Sequence, residues 1–256
     1  MDKSSRGVQC LERAMDILEA VGAAGELGVT EISERVDLHV ATVHNILRTL
    51  ANRHYLTNSG GRYRLGPAMA ALSSRWDVVQ SLPSEVQPYL DRLSERTGEA
   101  ASATILVGSS AKLIAFRAGT QAITIHYPQW DWPNPLQLAT GRLLVAFQPT
   151  TDWVPLLKQH GHAQPYWTPD QWTAELQKYR DTGSCILHRH TGDQTAMGFP
   201  VYGVGGRVLA AIGVSAPSFR ADEAHCAHML KELQAAAGEL STQLGWDGAS
   251  QTQSDQ

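Results

Sequence analysis

Apolar residues recur at intervals of three and four in the first part of the chain, which is the spacing of one helix face. The first such stripe is expected to face inward from an initial helix and consists of Leu11, Ala14, Met15, Leu18 and Val21. Thr30 is the expected N-cap of a second, short helix with Ile32 and Val36 on its apolar face. A third helix is predicted over Ala41 to Arg53. Its inward residues are Val43, Ile46, Leu47 and Leu50.

The pattern then changes to two short β-prone runs. Asn58, Ser59 and two glycines lie between them, and this composition is typical of a hairpin turn. Arg62 and Arg64 are two residues apart, so they are expected on the same face of the second strand. Two short helices with a tight connection, followed by such a hairpin, predict a winged helix-turn-helix over residues 7–66.

A linker helix is predicted over residues 67–83. Its apolar stripe packs either within one chain or against a second chain, and consists of Met69, Leu72, Trp76 and Val79. The segment 81–84 contains Pro83 and is expected to break this helix and mark the domain boundary.

The second domain is predicted over residues 84–246, with 247–256 as a disordered tail. Period-two runs indicate strands near 101–107, 112–116, 122–127, 184–188, 198–202 and 208–215. Helical patterns occur near 84–96, 140–147, 152–159, 170–180 and 222–244. This alternation predicts a mixed sheet with helices on its faces. The fold class is therefore α+β with two domains.

Composition adds little until the charges are placed along the chain. The 256 residues are 43% hydrophobic, with a formal net charge of −4. There is no apolar run of about 18 residues that could span a membrane, and no secretion signal. Three scattered cysteines favour a reducing cytoplasm. Between Arg35 and Arg64, however, five arginines accompany one acid, Asp37, so this window carries +4 and the remainder −8. A positively charged segment in an otherwise acidic chain indicates a phosphate-binding surface or, alternatively, a solvated basic face.

The outer face of the third helix is the expected reading surface, because its other face belongs to the core. The residues on it are Thr42, His44, Asn45 and Arg48. The amide of Asn45 can pair bidentately with adenine, and Thr42 can contact a thymine methyl or a phosphate. Arg48, Arg62 and Arg64 are expected to hold phosphates, which fixes the register without reading the sequence.

Several motifs, in order and spacing, closely resemble the IclR family of bacterial transcriptional regulators. They lie at residues 10–18, 31–35, 41–50, 61–66, 97–99, 139–147, 200–201 and 214–217. The resemblance covers about Val8 to Leu244. It implies a winged helix followed by a GAF-like α/β effector-binding domain, and assembly as dimers or tetramers. A two-fold dimer would match palindromic double-stranded operator DNA. A repressor is the expected type of regulator, although the same fold serves activators.

The chain departs from the family pattern in the recognition helix. Val40 and Ala41 stand where a basic residue and a serine are common, and Asn45 stands where arginine is common. The operator sequence therefore cannot be transferred from relatives.

The resemblance also places an effector site between the sheet and the start of the helix at 139–141. The residues implied or expected there are Thr140, Gly141, Trp132, His188, Met197 and Ser215. Free N–H groups at a helix start favour an anionic or carbonyl group, and Gly141 would permit close approach. The aromatic segment 127–133 favours an aromatic or heterocyclic acid. The alternative is that Trp130 and Trp132 cover an interface.

Catalytic motifs are missing from the sequence: there is no P-loop, dinucleotide fingerprint, nucleophile elbow or zinc-protease motif. His188 and His190 near Cys185, and the run 225–228, contain metal-binding residue types without a four-ligand spacing, so neither a metal nor another cofactor is expected. The expected function is a ligand-responsive transcription regulator. The alternative is an enzyme that converts a small molecule and uses the helical unit for assembly.

Overall fold

The computed structural model describes residues 8–73, 78–161, 168–189 and 193–248. Its contacts divide the chain into two compact units, 1–77 and 78–256. Trp76, His190 and the residues from 249 onward, on which some sequence predictions rest, lie outside the described residues. No described helix is both long enough and apolar enough to cross a membrane.

The first unit is a helical bundle with a small sheet of strand order β1-β3-β2. Its elements are α1 (Gln9–Ala24), β1 (Leu27–Gly28), α2 (Val29–Arg35), α3 (Val40–Asn52), β2 (Leu56–Ser59), β3 (Arg62–Leu65) and α4 (Pro67–Ser73). Strands β2 and β3 form an antiparallel hairpin. Gly60 and Gly61 turn it with φ values of 62° and 82°, which side chains rarely adopt. The predicted winged helix-turn-helix is confirmed.

The predicted inward face of α1 is confirmed only in part. Val21 is fully buried and Leu18 is half-buried against the same core, together with Ile17, which the stripe did not include. Leu11 and Met15 were wrongly assigned to this face, because they are 58% and 56% exposed. The apolar residues of α1 extend beyond one face, and periodicity alone does not say which of them are buried. The Thr30 cap is also wrong, because α2 already begins at Val29.

The start of α2 is instead capped from within its first turn. Glu31 reaches back, and its Oε2 accepts a 2.6 Å hydrogen bond from the backbone N–H of Gly28. A carboxylate in this position also suits the positive end of the helix dipole.

The second unit is a sheet of order β6-β5-β4-β9-β8-β7 with helices on both faces. Its elements are α5 (Val78–Thr97), β4 (Ala100–Val107), β5 (Ser110–Arg117), β6 (Asp131–Trp132), α6 (Ala139–Ala146), α7 (Thr150–His160), α8 (Pro169–Thr182), β7 (Cys185–Arg189), β8 (Gln194–Tyr202), β9 (Val208–Pro217) and α9 (Glu223–Gln243). Helices α5 and α9 cover one face, and α6 to α8 cover the other. The two-domain α+β class is confirmed. Neighbouring described strands all pair antiparallel, which is more uniform than the expected mixed sheet.

The predicted helix break at 81–84 is wrong. Helix α5 continues through Pro83 and Pro88. Each proline removes one backbone donor, but the apolar face of the helix is held in the core, and this burial offsets the loss. That face consists of Leu82, Val86, Leu90 and Leu93.

The predicted strand at 122–127 is also wrong, because residues 118–130 form an irregular loop. The carbonyl of Ile123 accepts a hydrogen bond from Arg220 Nη2 (2.7 Å) instead of joining a strand ladder. At the C-terminal end of the loop, the carbonyl of Trp130 accepts from the Leu113 N–H (2.7 Å). The loop is therefore fixed to the domain at its middle and at its C-terminal end without being a strand.

Candidate functional site

The outer face of α3 presents the predicted DNA-reading residues together. His44, Asn45 and Arg48 are exposed and Thr42 is half-buried, because Val43 and the residues below it fill the core. Arg48 Nη2 donates a 3.3 Å hydrogen bond to Asn45 Oδ1. The amide oxygen of Asn45 has a second lone pair, so this contact leaves an acceptor site for a base, and the NH₂ group remains a donor.

A histidine caps α3 in the absence of the serine that is common in the family. Helix α3 begins at Val40, and His39 Nδ1 accepts from the backbone N–H of Ala41 at 3.4 Å. The cap is long compared with an ordinary hydrogen bond, so it holds the helix start weakly.

The hairpin arginines have a partner that the sequence did not indicate. Arg62 Nε lies 2.5 Å from Glu26 Oε1, and Arg64 Nε donates to Glu26 Oε2. Arg62 Nη1 also lies 3.4 Å from Glu31 Oε2. Hydrogen bonds from Arg64 and Arg62 hold the pKa of Glu26 below its ordinary value, so this carboxylate is ionised at neutral pH.

These pairs change the interpretation of the basic window. Residues 1–77 contain nine Lys or Arg and nine Asp or Glu, so the first unit as a whole is neutral. Helix α3 and the hairpin carry three arginines and no acid, whereas α1 carries three acids and one arginine. The electropositive surface is thus confined to part of the first unit, and acidic residues elsewhere in the same unit offset its charge.

In the second unit, a small cavity opens between the start of α6 and strands β4, β8 and β9. It is lined by Ser102, Tyr127, Gln137, Leu138, Ala139, Thr140, Gln194, Ala196, Met197, Gly213 and Ser215. None of these side chains is charged. The hydroxyls of Tyr127 and Ser215 lie 2.8 Å apart, and Thr140 Oγ1 donates to Thr104 Oγ1 at 2.9 Å.

Several polar groups on the cavity wall are available to a ligand. The N–H groups of Ala139 and Thr140, in the first turn of α6, precede the helix's own hydrogen bonds. Within the described part of the chain, the side chains of Ser102 (3% exposed) and Gln194 (9%) have no hydrogen-bond partner. The wall therefore offers mainly neutral donors.

Three of the six predicted effector residues lie on this wall, namely Thr140, Met197 and Ser215. Gly141 does not, because it faces the carbonyl of Pro135. The close approach that needs a glycine is therefore made by the protein's own backbone rather than by a ligand.

Trp132 and His188 also lie off the wall. Trp132 packs with Leu138 and edge-on against the Tyr127 ring, with 6.2 Å between ring centroids. His188 is exposed on β7, with Nδ1 3.2 Å from Thr195 Oγ1. The aromatic segment did indicate Tyr127, but nothing in the sequence singled out Ser102 or Gln194.

The candidate metal-binding residues have other contacts. Cys185 is buried, and burial raises the pKa of its thiol to about 12. His225 Nε2 lies 3.2 Å from Glu99 Oε1, and His228 Nε2 lies 3.1 Å from the carbonyl oxygen of Arg96. Across the described ranges, no three His, Cys, Asp or Glu side chains form a group that could hold a metal ion.

Both units match known families and proteins. Residues 10–60 match the IclR helix-turn-helix domain, and residues 75–242 match the bacterial transcriptional regulator IclR C-terminal domain. The HTH-type transcriptional regulator XynR of Escherichia coli is 30% identical over 252 residues, covering 93% of this chain and 98% of that protein.

Solved structures agree with this match. An IclR-family regulator from Rhodococcus sp. is 25% identical with a TM-score of 0.64, covering 94% of this chain and 96% of that one. An IclR homologue from Microbacterium hydrocarbonoxydans, crystallised with 4-hydroxybenzoate, has 19% identity and a TM-score of 0.57, covering 92% and 98%. The matched family and XynR are transcriptional regulators and not enzymes. The chain therefore belongs to the IclR family of transcriptional regulators, with a DNA-binding helix-turn-helix domain and a C-terminal effector domain.

Proposed function

We propose that this regulator is a cytoplasmic repressor whose dimer binds a palindromic operator through α3 and the hairpin, and whose binding is changed by a small organic acid. The observation that carries the proposal is the exposed polar face of α3, with His44, Asn45 and Arg48 side by side and uncovered. A helix with such a face fits a major groove, where Asn45 reads adenine and Arg48 reaches a phosphate.

The cavity at α6 supports an acid as the effector. Its side chains are uncharged, so a carboxylate would be held by the N–H groups of Ala139 and Thr140 and by the hydroxyls of Tyr127 and Ser215. The free space in this cavity is about 10 Å³, enough for about one water molecule, so an acid with a ring needs part of the wall, such as Tyr127, to move aside. A hydroxybenzoate-like acid would then have Gln194 and Ser102 available for its second polar group. The structural neighbour crystallised with 4-hydroxybenzoate agrees with this class.

The direct experiment is selection of genomic DNA fragments by the full chain, followed by gel-shift titration in the presence of single acids. The proposal expects a palindromic consensus, release of the DNA by a monocyclic acid, and lower reporter expression when the regulator is present. Recovery of fragments without a shared sequence would contradict the operator assignment. Release by two- or three-carbon acids alone would contradict the ligand class.

Ser215→Ala should weaken binding of 4-hydroxybenzoate by about two- to tenfold, as for loss of one hydrogen bond. The hydroxyl of Ser215 lies on the cavity wall, 2.8 Å from that of Tyr127. Calorimetric titration of the full chain measures the change. Ser218→Ala is the matched control, because Ser218 is exposed and outside the cavity. Equal affinities for the two variants would place the acid elsewhere.

Helix α1 carries the surface that we assign to the dimer. Val8, Leu11 and Met15 are 61%, 58% and 56% exposed and lie at helical spacing on one face. Three large apolar side chains at such spacing typically mark a contact with another chain. A two-fold contact here would pair two DNA-binding units, as a palindrome requires.

Leu11→Glu combined with Met15→Glu should shift the protein towards monomers by at least about tenfold in the dimer dissociation constant. Two carboxylates would have to be buried without partners in the contact. Sedimentation equilibrium of the full chain gives the constant. Glu12→Gln with Asp16→Asn, also on the exposed part of α1, is the control and should leave it within about twofold. An unchanged constant in the glutamate variant would remove α1 from the interface.

A further inference from the structure

Glu26 binds both hairpin arginines through its two carboxylate oxygens, one arginine to each. Arg62 is 47% and Arg64 64% exposed at the side chain, whereas Glu26 is 27% exposed. The carboxylate therefore lies between the guanidinium groups and deeper than they do. Its nearest sequence neighbours give no sign of this role, because the partners lie 36 and 38 residues further along the chain.

The backbone places these groups together. In the antiparallel pairing of β1 with β3, Leu27 lies opposite Tyr63 and Gly28 opposite Arg62. Continuing this register puts Glu26 beside Arg64. Tyr63 points into the core and is 6% exposed, so the residues on either side of it point outward together. The cluster is therefore a consequence of strand register and not of a chance side-chain rotamer.

We propose that Glu26 is a specificity-determining residue for DNA binding, which occupies the hairpin arginines and weakens their sequence-independent attraction to phosphates. The inference rests on the proposed function, in which these arginines contact the DNA backbone. It goes beyond that function because it assigns a role to an acidic residue that opposes binding.

The charges support this role. Glu26 and Glu31 together balance Arg62 and Arg64, so the hairpin with its partners has no net charge. A phosphate that approaches Arg64 also approaches an ionised carboxylate, and like charges at short range repel. Among the described contacts of Arg64, only Nε has a partner, so Nη1 and Nη2 can still orient a phosphate, but with less net attraction. All three nitrogens of Arg62 face Glu26 or Glu31.

Arg48 on α3 has a different environment. Its described hydrogen-bond partner is the neutral Asn45, so its charge remains available to DNA. The fold thus retains the positive charge on α3, which is proposed to read bases, and reduces it on the hairpin, which is proposed to contact only the DNA backbone. Affinity then depends more on the base contacts, which raises the ratio of operator binding to binding of other DNA.

The test is Glu26→Gln in the full chain, with dissociation constants measured on an operator duplex and on a scrambled duplex at several salt concentrations. We expect binding to the scrambled duplex to tighten by about three- to tenfold at low salt. The salt slope should steepen by up to about one, as for one further phosphate contact. The operator should gain less, so the specificity ratio falls. Glu19→Gln on α1 makes the same charge change at an exposed residue that has no described ion pair with either arginine, and should alter neither constant by more than about twofold.

Two further variants separate this inference from the proposed function. Glu26→Gln added to Arg62→Ala with Arg64→Ala should give no gain, because the carboxylate then has no arginine to occupy. If the arginine double variant binds DNA as tightly as the parent, the phosphate role of the hairpin itself fails. If that variant weakens binding but Glu26→Gln leaves or lowers the affinity for scrambled DNA, only the role of Glu26 is overturned. Glu26→Ala provides a second measurement should the glutamine variant unfold.

Discussion

Replacing Gly141 with alanine is expected to lower the free energy of unfolding of the second unit by about 3 kcal/mol, the upper part of the usual range for overpacking a core. An added Cβ would enter the space of the Pro135 carbonyl, far inside van der Waals contact. The turn that carries this carbonyl cannot easily retreat. Arg142 Nε donates to the carbonyl of Leu136 at 2.7 Å, and Asn134 bonds both Leu136 and His160.

Urea unfolding of the full chain, followed by tryptophan fluorescence, measures this change. Gly238→Ala is the matched control, because this glycine also lies in a helix, α9, with no atom within 4 Å of the added Cβ. It should stabilise the domain by up to about 1 kcal/mol, since alanine is the better helix former. If the two variants were equally stable, Gly141 would not be a close-approach position.

The second large effect is expected for Arg62→Ala combined with Arg64→Ala, which should weaken binding to any duplex by about 10- to 60-fold at about 0.1 M salt. The upper value corresponds to the loss of two phosphate contacts, and the salt slope should fall by up to about two. The pairing of both arginines with Glu26 lowers the expected loss below that limit.

Gel-shift titration across a salt series measures both quantities. Arg117→Ala with Arg207→Ala is the control, because it removes two positive charges from exposed positions in the second unit. We expect less than a threefold change for it. A loss confined to the operator duplex would assign the arginines to base reading, and an unchanged slope would remove them from the DNA surface.

Local patterns predicted the first unit well, because each helix has a strong apolar period and the hairpin has a clear turn. The exception is α1, where apolar residues cover two neighbouring faces and the period cannot say which one is buried. Long-range pairs were not predictable in this way. The contact of Glu26 with the hairpin depends on the register of β1 and β3, and no local signal reports that register.

The second unit shows a similar division. Proline rules predicted a break at Pro83, but burial of the helix face through Leu82 and Val86 outweighs two missing donors. The resemblance indicated Thr140 and Ser215 on the cavity wall, whereas Ser102 and Gln194 join them only because sheet pairing brings β4, β8 and β9 together. The order of the strands in the sheet brings these side chains together, and that order cannot be read from the sequence.

The loop at 118–130 has a kinetic consequence. It is anchored at Ile123 and Trp130, and between these points Tyr127 borders the proposed effector cavity. Its hydroxyl lies 2.8 Å from that of Ser215, and its ring packs edge-on against Phe116 and Trp132. Each of these contacts contributes only about 1 kcal/mol, so together they slow the opening of the loop modestly. Ligand exchange through this opening would be fast compared with the lifetime of a transcript. The fraction of regulator with bound effector would then equilibrate quickly with the effector concentration and would not depend on earlier concentrations.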